Sequence, residues 1–402
     1  MARLGPFEAA PTLAVAVSGG PDSLALALLA RDWAAALGGT VLALVVDHGL
    51  RAESGDEARL TLSRLALQSV PAHLIQLQGL EHGAALAERA RTARFAALAG
   101  ACAGAGILHL LLGHHRRDQA ETLRMRERSG SGPRGLASMA PLTELGAVRL
   151  LRPLLNVAPA ELRALLVARG VPWVEDPSNH DLATLRGRLR AEMMDPTGEG
   201  GQVARLAAEA GQHGATRAGQ DVAVAAVLSV RVQLHPAGWA LLSPGPLPVP
   251  ALNALLCCIA GRQYPLPRTA VGALATAPRT ATLGGARLVP ARHARGWLVL
   301  REAAAMQSPV PARMGAIWDG RFRIAAPPGE HGLMLGAVGQ EAVSLRSLWP
   351  DWPSALLQTL PALWRGNKLV SVPALADPGS AQRSSLVFEP AMRLAGAPFL
   401  AM

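Results

Sequence analysis

The chain has 402 residues, of which 50% are hydrophobic and 17% are charged, and its formal net charge at pH 7 is +10. This length predicts roughly two to three domains. No apolar run approaches the roughly 20 residues that cross a bilayer, and the first residues lack a basic-then-apolar signal pattern. These features exclude the membrane class and lead us to expect a cytoplasmic protein.

The positive charge comes from arginine, because the 39 lysine and arginine residues include a single lysine, Lys368. A basic excess fits an anionic macromolecular partner such as nucleic acid. A genome that prefers arginine explains the choice of residue but not the excess. Cys102, Cys257 and Cys258 have neither CxxC spacing nor a histidine at ligand spacing, so we expect buried thiols and no cysteine or iron–sulfur chemistry.

The first predicted elements are a strand, a glycine-rich turn and a helix. TLAVAV at 12–17 is typical of a strand buried on both faces of a parallel sheet, and the Ala- and Leu-rich segment after residue 23 favours a helix. Between them lies SGGPDS at 18–23, whose two glycines allow positive φ and whose Asp22 or Ser23 can cap the helix. Because helix N-termini present unpaired N–H groups, this turn predicts a phosphate site. The alternative is an ordinary strand–turn–helix bend.

The same alternation continues through the first half of the chain. Further strands are predicted at 40–47, 71–77 and 107–112, and further helices at 55–68, 84–101, 159–169 and 182–190. This alternation predicts an α/β fold with a doubly wound parallel sheet. Ligands of such sheets bind at the carboxyl ends of the strands, which places Asp47 and His114 beside the glycine-rich turn.

The second half is less regular, and a domain boundary is predicted in DPTGEGG at 195–201. Helices are predicted at 202–231 and twice within 251–277, followed by β-structure at 282–301 and short strands after residue 317. We therefore predict three domains: an α/β domain at 1–195, a helical substrate-binding domain at 196–305 and a small mixed α/β domain at 306–402.

An ordered series of motifs resembles the tRNA(Ile)-lysidine synthetase family of the N-type ATP pyrophosphatase superfamily. The motifs are SGGPDS at 18–23, VDHGLR at 46–51, AERARTARF at 87–95, LGHHRRDQAET at 112–122, SGSGPRGLASM at 129–139, RPLL at 152–155, EDPSNHD at 175–181 and RGRLR at 186–190. They cover most of the first half in the family's order. Weaker echoes at 283–302 and 360–373 resemble the family's accessory substrate-binding regions.

The resemblance implies a PP-loop ligase with an adenine nucleotide alpha-hydrolase-like adenylation domain. Such an enzyme uses ATP and Mg²⁺ to adenylate C2 of the wobble cytidine in the CAU anticodon of tRNA(Ile). The amino group of free L-lysine then displaces AMP to give lysidine. The implied partners are therefore tRNA(Ile) and lysine, with self-association left open.

The resemblance also implies roles for individual residues. The implied catalytic residues are Asp22, Arg91, His114, Asp118 and Arg186. The implied ATP-binding residues are Ser18, Gly19, Gly20, Pro21, Asp22, Ser23, Asp47 and Gly113. Asp22 and Asp118 are the implied Mg²⁺ ligands.

Two residues depart from the family pattern. Arg117 stands where the family has the first of two adjacent aspartates, and Gly187 replaces an asparagine. Arg117 either removes a carboxylate needed for magnesium or is a solvated or phosphate-facing charge beside a working Asp118. EDPSNHD is either a turn or a contact to tRNA or lysine.

Three other functions are compatible with parts of the sequence. Another adenylating tRNA modifier of the 2-thiolation type would need cysteines near the site. A catalytically inactive ATP- or RNA-binding homologue would explain Arg117. A small-molecule amidotransferase or synthetase would leave the basic excess unexplained.

Overall fold

The structure is a computed structural model that describes residues 1–50, 54–79, 83, 85–175, 182–291, 295–326, 330–376, 386–396 and 399. The chain divides into two compact units. The N-terminal unit comprises Met1–Gln220 with Ala397–Met402, and the C-terminal unit comprises Asp221–Gly396. The division into three domains stays a prediction.

One six-stranded sheet organises the N-terminal unit. Its strands are β1 (Thr12–Val17), β2 (Thr40–Asp47), β3 (Ala72–Gln76), β4 (His109–Leu111), β5 (Leu142–Leu145) and β6 (Val148–Leu151). Their order is β3-β2-β1-β4-β6-β5, and every neighbouring pair is parallel except β5 with β6. This order confirms the predicted doubly wound sheet and adds two strands that the sequence analysis missed, the parallel β6 and the antiparallel edge strand β5. The order reverses between β1 and β4, where ligands of such sheets bind.

Helices connect these strands and continue beyond them. They are α1 (Pro21–Ala35), α2 (Ser54–Leu67), α3 (Leu86–Gly104), α4 (Arg116–Arg128), α5 (Pro133–Leu136), α6 (Pro159–Ala168), α7 (Leu185–Met193) and α8 (Gly201–Arg231). The predicted helices are present, with ends that shift by a few residues. Helix α8 contains the boundary between the two units.

Strand β1 is buried on both faces, as its unbroken apolar sequence predicts. Leu13, Val15 and Val17 belong to the hydrophobic cluster that includes residues of α1 and α6. Ala14 on the opposite face belongs to a second cluster with Leu98 of α3. Because each buried Leu or Val side chain contributes about 1.5–3 kcal/mol, this packing holds the end of β1 firmly at the start of the glycine-rich turn.

In the described residues, the C-terminal unit has four further helices and three antiparallel sheets. The helices are α9 (Val249–Ala260), α10 (Arg268–Thr276), α11 (Ala342–Arg346) and α12 (Ser354–Leu357). The strands are β7 (Val232–His235), β8 (Trp239–Leu242), β9 (Ala281–Leu283), β10 (Ala286–Pro290), β11 (Trp297–Arg301), β12 (Val310–Pro311), β13 (Ile317–Trp318), β14 (Phe322–Ile324), β15 (Met334–Ala337), β16 (Pro361–Arg365), β17 (Lys368–Ser371) and β18 (Leu386–Phe388). They form the sheets β7-β8-β11-β10-β9, β12-β15-β16-β17 and β13-β14-β18.

The three cysteines are buried and unpaired, as the sequence predicts. None of the helices in the described ranges combines the length and the hydropathy needed to span a membrane.

Candidate active site

The glycine-rich turn joins β1 to α1 at the carboxyl edge of the sheet. Gly19 has φ +84°, and a Cβ there would lie 2.4 Å from Oγ1 of Thr61, so only glycine fits. Gly20 has φ −74° and so does not use the positive φ that a glycine allows. A Cβ on Gly20 would have only Ser18 Oγ, at 3.7 Å, within 4 Å, and so would project into open space. In the described part of the chain nothing accepts the backbone N–H groups of Gly19 and Gly20, which leaves donors and room for a phosphate.

The start of α1 differs in detail from the sequence prediction. Gly20 occupies the N-cap position and Pro21 begins the helix, so neither Asp22 nor Ser23 caps it. The Ser23 hydroxyl donates to the Gly20 carbonyl at 3.1 Å and accepts from the Ser18 N–H at 3.1 Å. Ser23 therefore closes the turn from inside.

Gly113 brings a second strand end against this turn. It follows β4, and a Cβ on Gly113 would lie 3.1 Å from the backbone carbon of Asp22 and from the nitrogen of Ser23. Those atoms belong to the first turn of a packed helix and have little freedom to move. A larger residue would therefore push β4 away from α1, and with it the histidine pair that follows.

His115 lies between the two predicted metal-binding carboxylates. Its Nε2 is 3.5 Å from Asp22 Oδ2 and its Nδ1 is 3.5 Å from Asp118 Oδ2. The backbone N–H of His115 also donates to Asp118 Oδ2 at 3.0 Å. Burial alone would lower the pKa of His115, but Asp118 and Asp22 raise it above its usual value. The structure thus brings Asp22 and Asp118 together through a histidine that the sequence analysis did not select.

Asp118 is buried in this arrangement. Burial alone would raise the pKa of Asp118, but the charge of His115, the hydrogen bond from the His115 N–H and the charge of Arg186 lower it. Asp22 has a buried Oδ1 that accepts no hydrogen bond from the described chain. The unbonded Asp22 Oδ1 and the ionised Asp118 carboxylate therefore lie at the same carboxyl edge of the sheet.

His114, the predicted catalytic histidine, is neutral in this site. Burial lowers its pKa to about 4, and while Asp118 opposes that shift, the charges of Arg152, Arg186 and Arg91 reinforce it. Neither Arg91 nor Arg186 forms a hydrogen bond or ion pair with any residue of the described ranges. The predicted arginines thus contribute positive charge around an uncharged imidazole without an ion-paired carboxylate in the described residues.

Arg117 is held by a buried carboxylate. Its Nε lies 3.5 Å from Glu121 Oε1, and its Nη1 donates to the Pro196 carbonyl at 3.1 Å. The Glu121 side chain is fully buried, and it also accepts from Arg190 Nε at 2.7 Å. Only 13% of the Arg117 side chain is exposed, so the solvated alternative is wrong. Arg190 in turn approaches Asp118, with Nη2 3.7 Å from Oδ1.

The remaining predicted residues lie at the same edge or outside the described part. Asp47 ends β2, and its Oδ1 accepts from the Ser54 hydroxyl at 2.7 Å and the Gly49 N–H at 2.9 Å, which lower its pKa. Its contact with a nucleotide stays a prediction. Gly187 donates its N–H to Thr184 Oγ1 at 3.0 Å and so completes the cap of α7. Of EDPSNHD only Glu175 is described, and residues 176–181 lie outside the described residues.

The donor set fits a magnesium nucleotide better than an isolated ion. In the parts of the chain that the structure describes, no three His, Cys, Asp or Glu side chains are grouped to hold a metal. Mg²⁺ usually takes one or two carboxylates and completes its shell with water and substrate phosphates. Asp22 and Asp118 beside a phosphate-sized turn meet that requirement.

Comparison with known proteins identifies the family. Residues 3–197 match the model of the PP-loop domain, ATP_bind_3. The tRNA(Ile)-lysidine synthase of Ruegeria pomeroyi is 34% identical over 393 residues, covering 91% of this chain and 90% of that protein. The enzyme of the same name from Brucella suis is 34% identical over 401 residues, covering 91% and 86%.

Two other similarities are more limited. The tRNA(Ile)-lysidine synthase of Bradyrhizobium diazoefficiens is 45% identical over 208 residues, which are 50% of this chain. The matched region spans only 57% of the length of the Bradyrhizobium protein. Among solved structures, a U34-tRNA thiolase, NcsA from Methanococcus maripaludis with its 4Fe–4S cluster, shows 15% identity and a TM-score of 0.45, covering 52% of this chain and 74% of that one. The likeness to the thiolase is too low to support a conclusion. The near-complete matches establish that the chain belongs to the tRNA(Ile)-lysidine synthase family.

Proposed function

We propose that this protein is a tRNA(Ile)-lysidine synthase, a ligase that forms a carbon–nitrogen bond between lysine and the wobble cytidine of a CAU anticodon. ATP is its energy source, and AMP and pyrophosphate are the products. The observation that carries the proposal is the convergence of the glycine-rich turn, Asp22, His115 and Asp118 at one sheet edge. Family membership supports the same reaction.

The reaction has two displacements. The oxygen at C2 of the cytidine attacks the α-phosphorus of ATP, and the bond to the bridging oxygen breaks as pyrophosphate leaves. The lysine amine then attacks C2, loses a proton, and expels AMP, which carries away the former C2 oxygen. Both steps move negative charge onto phosphate oxygens.

The residues at the sheet edge suit these demands. The unpaired N–H groups of Gly19 and Gly20 suit the pyrophosphate, and Arg91 and Arg186 suit the charge that develops at the α-phosphate. Asp22 and Asp118 would hold Mg²⁺, which when bound neutralises the polyphosphate. His114, uncharged at neutral pH, can hydrogen-bond to a reacting group without adding charge.

The rival of the thiolation type has little support from this chain. Cys102 lies in α3 in a hydrophobic cluster, and burial raises its pKa to about 11, which suppresses the nucleophilic thiolate. Burial also raises the pKa of the Cys257 and Cys258 thiols. The inactive-homologue rival rests on Arg117 alone.

We also propose how the chain and its partners are organised. Residues 1–195 form the adenylation domain, 196–305 form the helical domain that binds the substrate or tRNA, and 306–402 form a small mixed α/β domain. The net charge of +10 supports contact with the tRNA backbone. A tRNA-modifying role fits a cytoplasmic location.

The test is AMP release by purified protein with ATP, Mg²⁺, lysine and tRNA(Ile) bearing a CAU anticodon. We expect AMP only with this tRNA and not with one carrying another wobble base, together with retention of lysine on the RNA. Asp118→Asn should abolish both. A matched variant, Glu127→Gln, changes a partly exposed carboxylate of the same helix, paired with Arg124, and should retain activity. ATP binding without AMP from any tRNA would establish the inactive homologue instead.

A further inference from the structure

Arg152 lies at the catalytic edge of the sheet because of strand register. Strands β4 and β6 are parallel neighbours with Leu111 opposite Leu151, and the Leu112 N–H donates to the Leu151 carbonyl at 2.9 Å. Arg152 is the next residue after β6. It therefore leaves the sheet beside Gly113 and His114, on the side of β4 away from β1.

The guanidinium of Arg152 is buried and only partly bonded. Arg152 is 9% exposed, and its Nη1 donates to the Ala140 carbonyl at 2.6 Å and to Thr143 Oγ1 at 3.0 Å. Its Nε is buried and donates to no acceptor in the described residues. A buried donor without an acceptor is destabilising, and a guanidinium can offer a planar fork to an oxyanion. Anchoring the β5–β6 hairpin accounts for Nη1 but not for Nε.

The guanidiniums around Arg152 also lack an ion-paired carboxylate in the described residues. No carboxylate of the described chain forms an ion pair with Arg152, Arg91 or Arg186. Burial and the charge of Arg91 lower the pKa of Arg152 to about 10, so it stays protonated at neutral pH. Asp118 is already engaged with His115 and Arg190. Three guanidiniums around a neutral histidine are therefore matched by a ligand with several negative charges, such as a polyphosphate, and a monoanionic carboxylate would compensate only one of them.

We propose that Arg152 is a substrate-binding residue that donates through its Nε to a phosphate oxygen of ATP, alongside Arg91 and Arg186. The inference rests on the proposed function in taking ATP as the substrate. It assigns Arg152, which begins the RPLL motif, a role beyond holding the hairpin.

The test measures binding of α,β-methylene-ATP with Mg²⁺ by calorimetry, without tRNA or lysine. Arg152→Met should weaken binding about tenfold or more, as expected for loss of a charge-assisted hydrogen bond. Arg152→Lys keeps the positive charge but loses the planar guanidinium, and its affinity for the analogue should lie between those of the wild type and Arg152→Met. Arg116→Met is the matched control, because Arg116 lies in the same unit, its side chain donates to the Asn156 carbonyl at 2.6 and 3.0 Å, and its Nη2 lies 3.9 Å from Glu161 Oε1. It should bind like the wild type.

A second variant separates ligand binding from the structural role. Thr143→Val removes one hydrogen bond to Arg152 but keeps the guanidinium, and should leave analogue binding within about twofold of wild type. Wild-type binding by Arg152→Met, or an equal loss in Thr143→Val, would overturn the inference. So would a rise in the KM for lysine with unchanged analogue binding. If the wild type itself does not bind the analogue, the ATP chemistry of the proposed function is overturned as well. The wild-type measurement alone distinguishes that outcome from a failure of the role of Arg152.

Discussion

The neutral state of His114 makes the N-terminal unit sensitive to acid. In the folded protein its pKa is about 4, against an ordinary value of 6.5. Below pH 6.5 the histidine is protonated in the unfolded chain but stays neutral in the folded protein. The contribution of His114 to the free energy of unfolding is therefore fully present above pH 6.5 and is lost as the pH falls towards 4. Between pH 7.5 and 5.0 this difference lowers the free energy of unfolding by about 2 kcal/mol. His114→Asn should remove this part of the pH dependence.

Hydrogen exchange of the β4 amides, corrected for intrinsic exchange rates, measures this free energy locally. The experiment compares wild type and His114→Asn without nucleotide at the two pH values. His115 has a raised pKa and therefore acts in the opposite direction, contributing stability that is lost as the pH rises. It is present in both proteins and cancels in the comparison. Parallel pH profiles for the two proteins would refute the assignment of a buried, uncharged His114.

Two further perturbations test the turn and the buried carboxylate. Gly19→Ala should lower both the melting temperature and the ATP affinity, because the positive φ and the contact with Thr61 together cost about 2 kcal/mol. Gly20→Ala lies in extended backbone and should weaken ATP binding with an unchanged melting temperature. Equal melting temperatures for both variants would contradict this assignment. Arg117→Asp should destabilise the fold by about 3 kcal/mol in urea unfolding rather than raise AMP release, because it sets a second carboxylate near Glu121. A more active Arg117→Asp would show instead that the family's missing aspartate limits catalysis.

The strand–turn–helix at the start of the unit was predictable from local sequence. An unbroken apolar strand buried on both faces, two glycines and an Ala-rich helix all indicate the same structure. The strong helix propensity and the strand spacing likewise predicted the parallel sheet. The short edge strand β5, LTEL, was missed because a four-residue segment carries little periodicity.

The contacts inside the site depended on packing that local sequence does not encode. Glu121 and Arg190 are 69 residues apart, and only the approach of α7 to α4 joins them. The sequence places two histidines side by side but does not tell which one faces Asp22. Gly20 takes an ordinary φ because the sharp turn is completed at Gly19. The RPLL motif was recognised, but the burial of its arginine required the three-dimensional structure.

The central claim is that this site activates the oxygen at C2 of the wobble cytidine by transferring AMP to it. The most direct measurement uses tRNA(Ile) whose wobble cytidine carries oxygen-18 at C2, incubated with the protein, ATP, Mg²⁺ and lysine, with mass spectrometry of the released AMP. Adenylation followed by displacement by lysine predicts one labelled oxygen in each AMP. Unlabelled AMP, with the isotope retained in the RNA, would contradict the mechanism even if ATP were consumed.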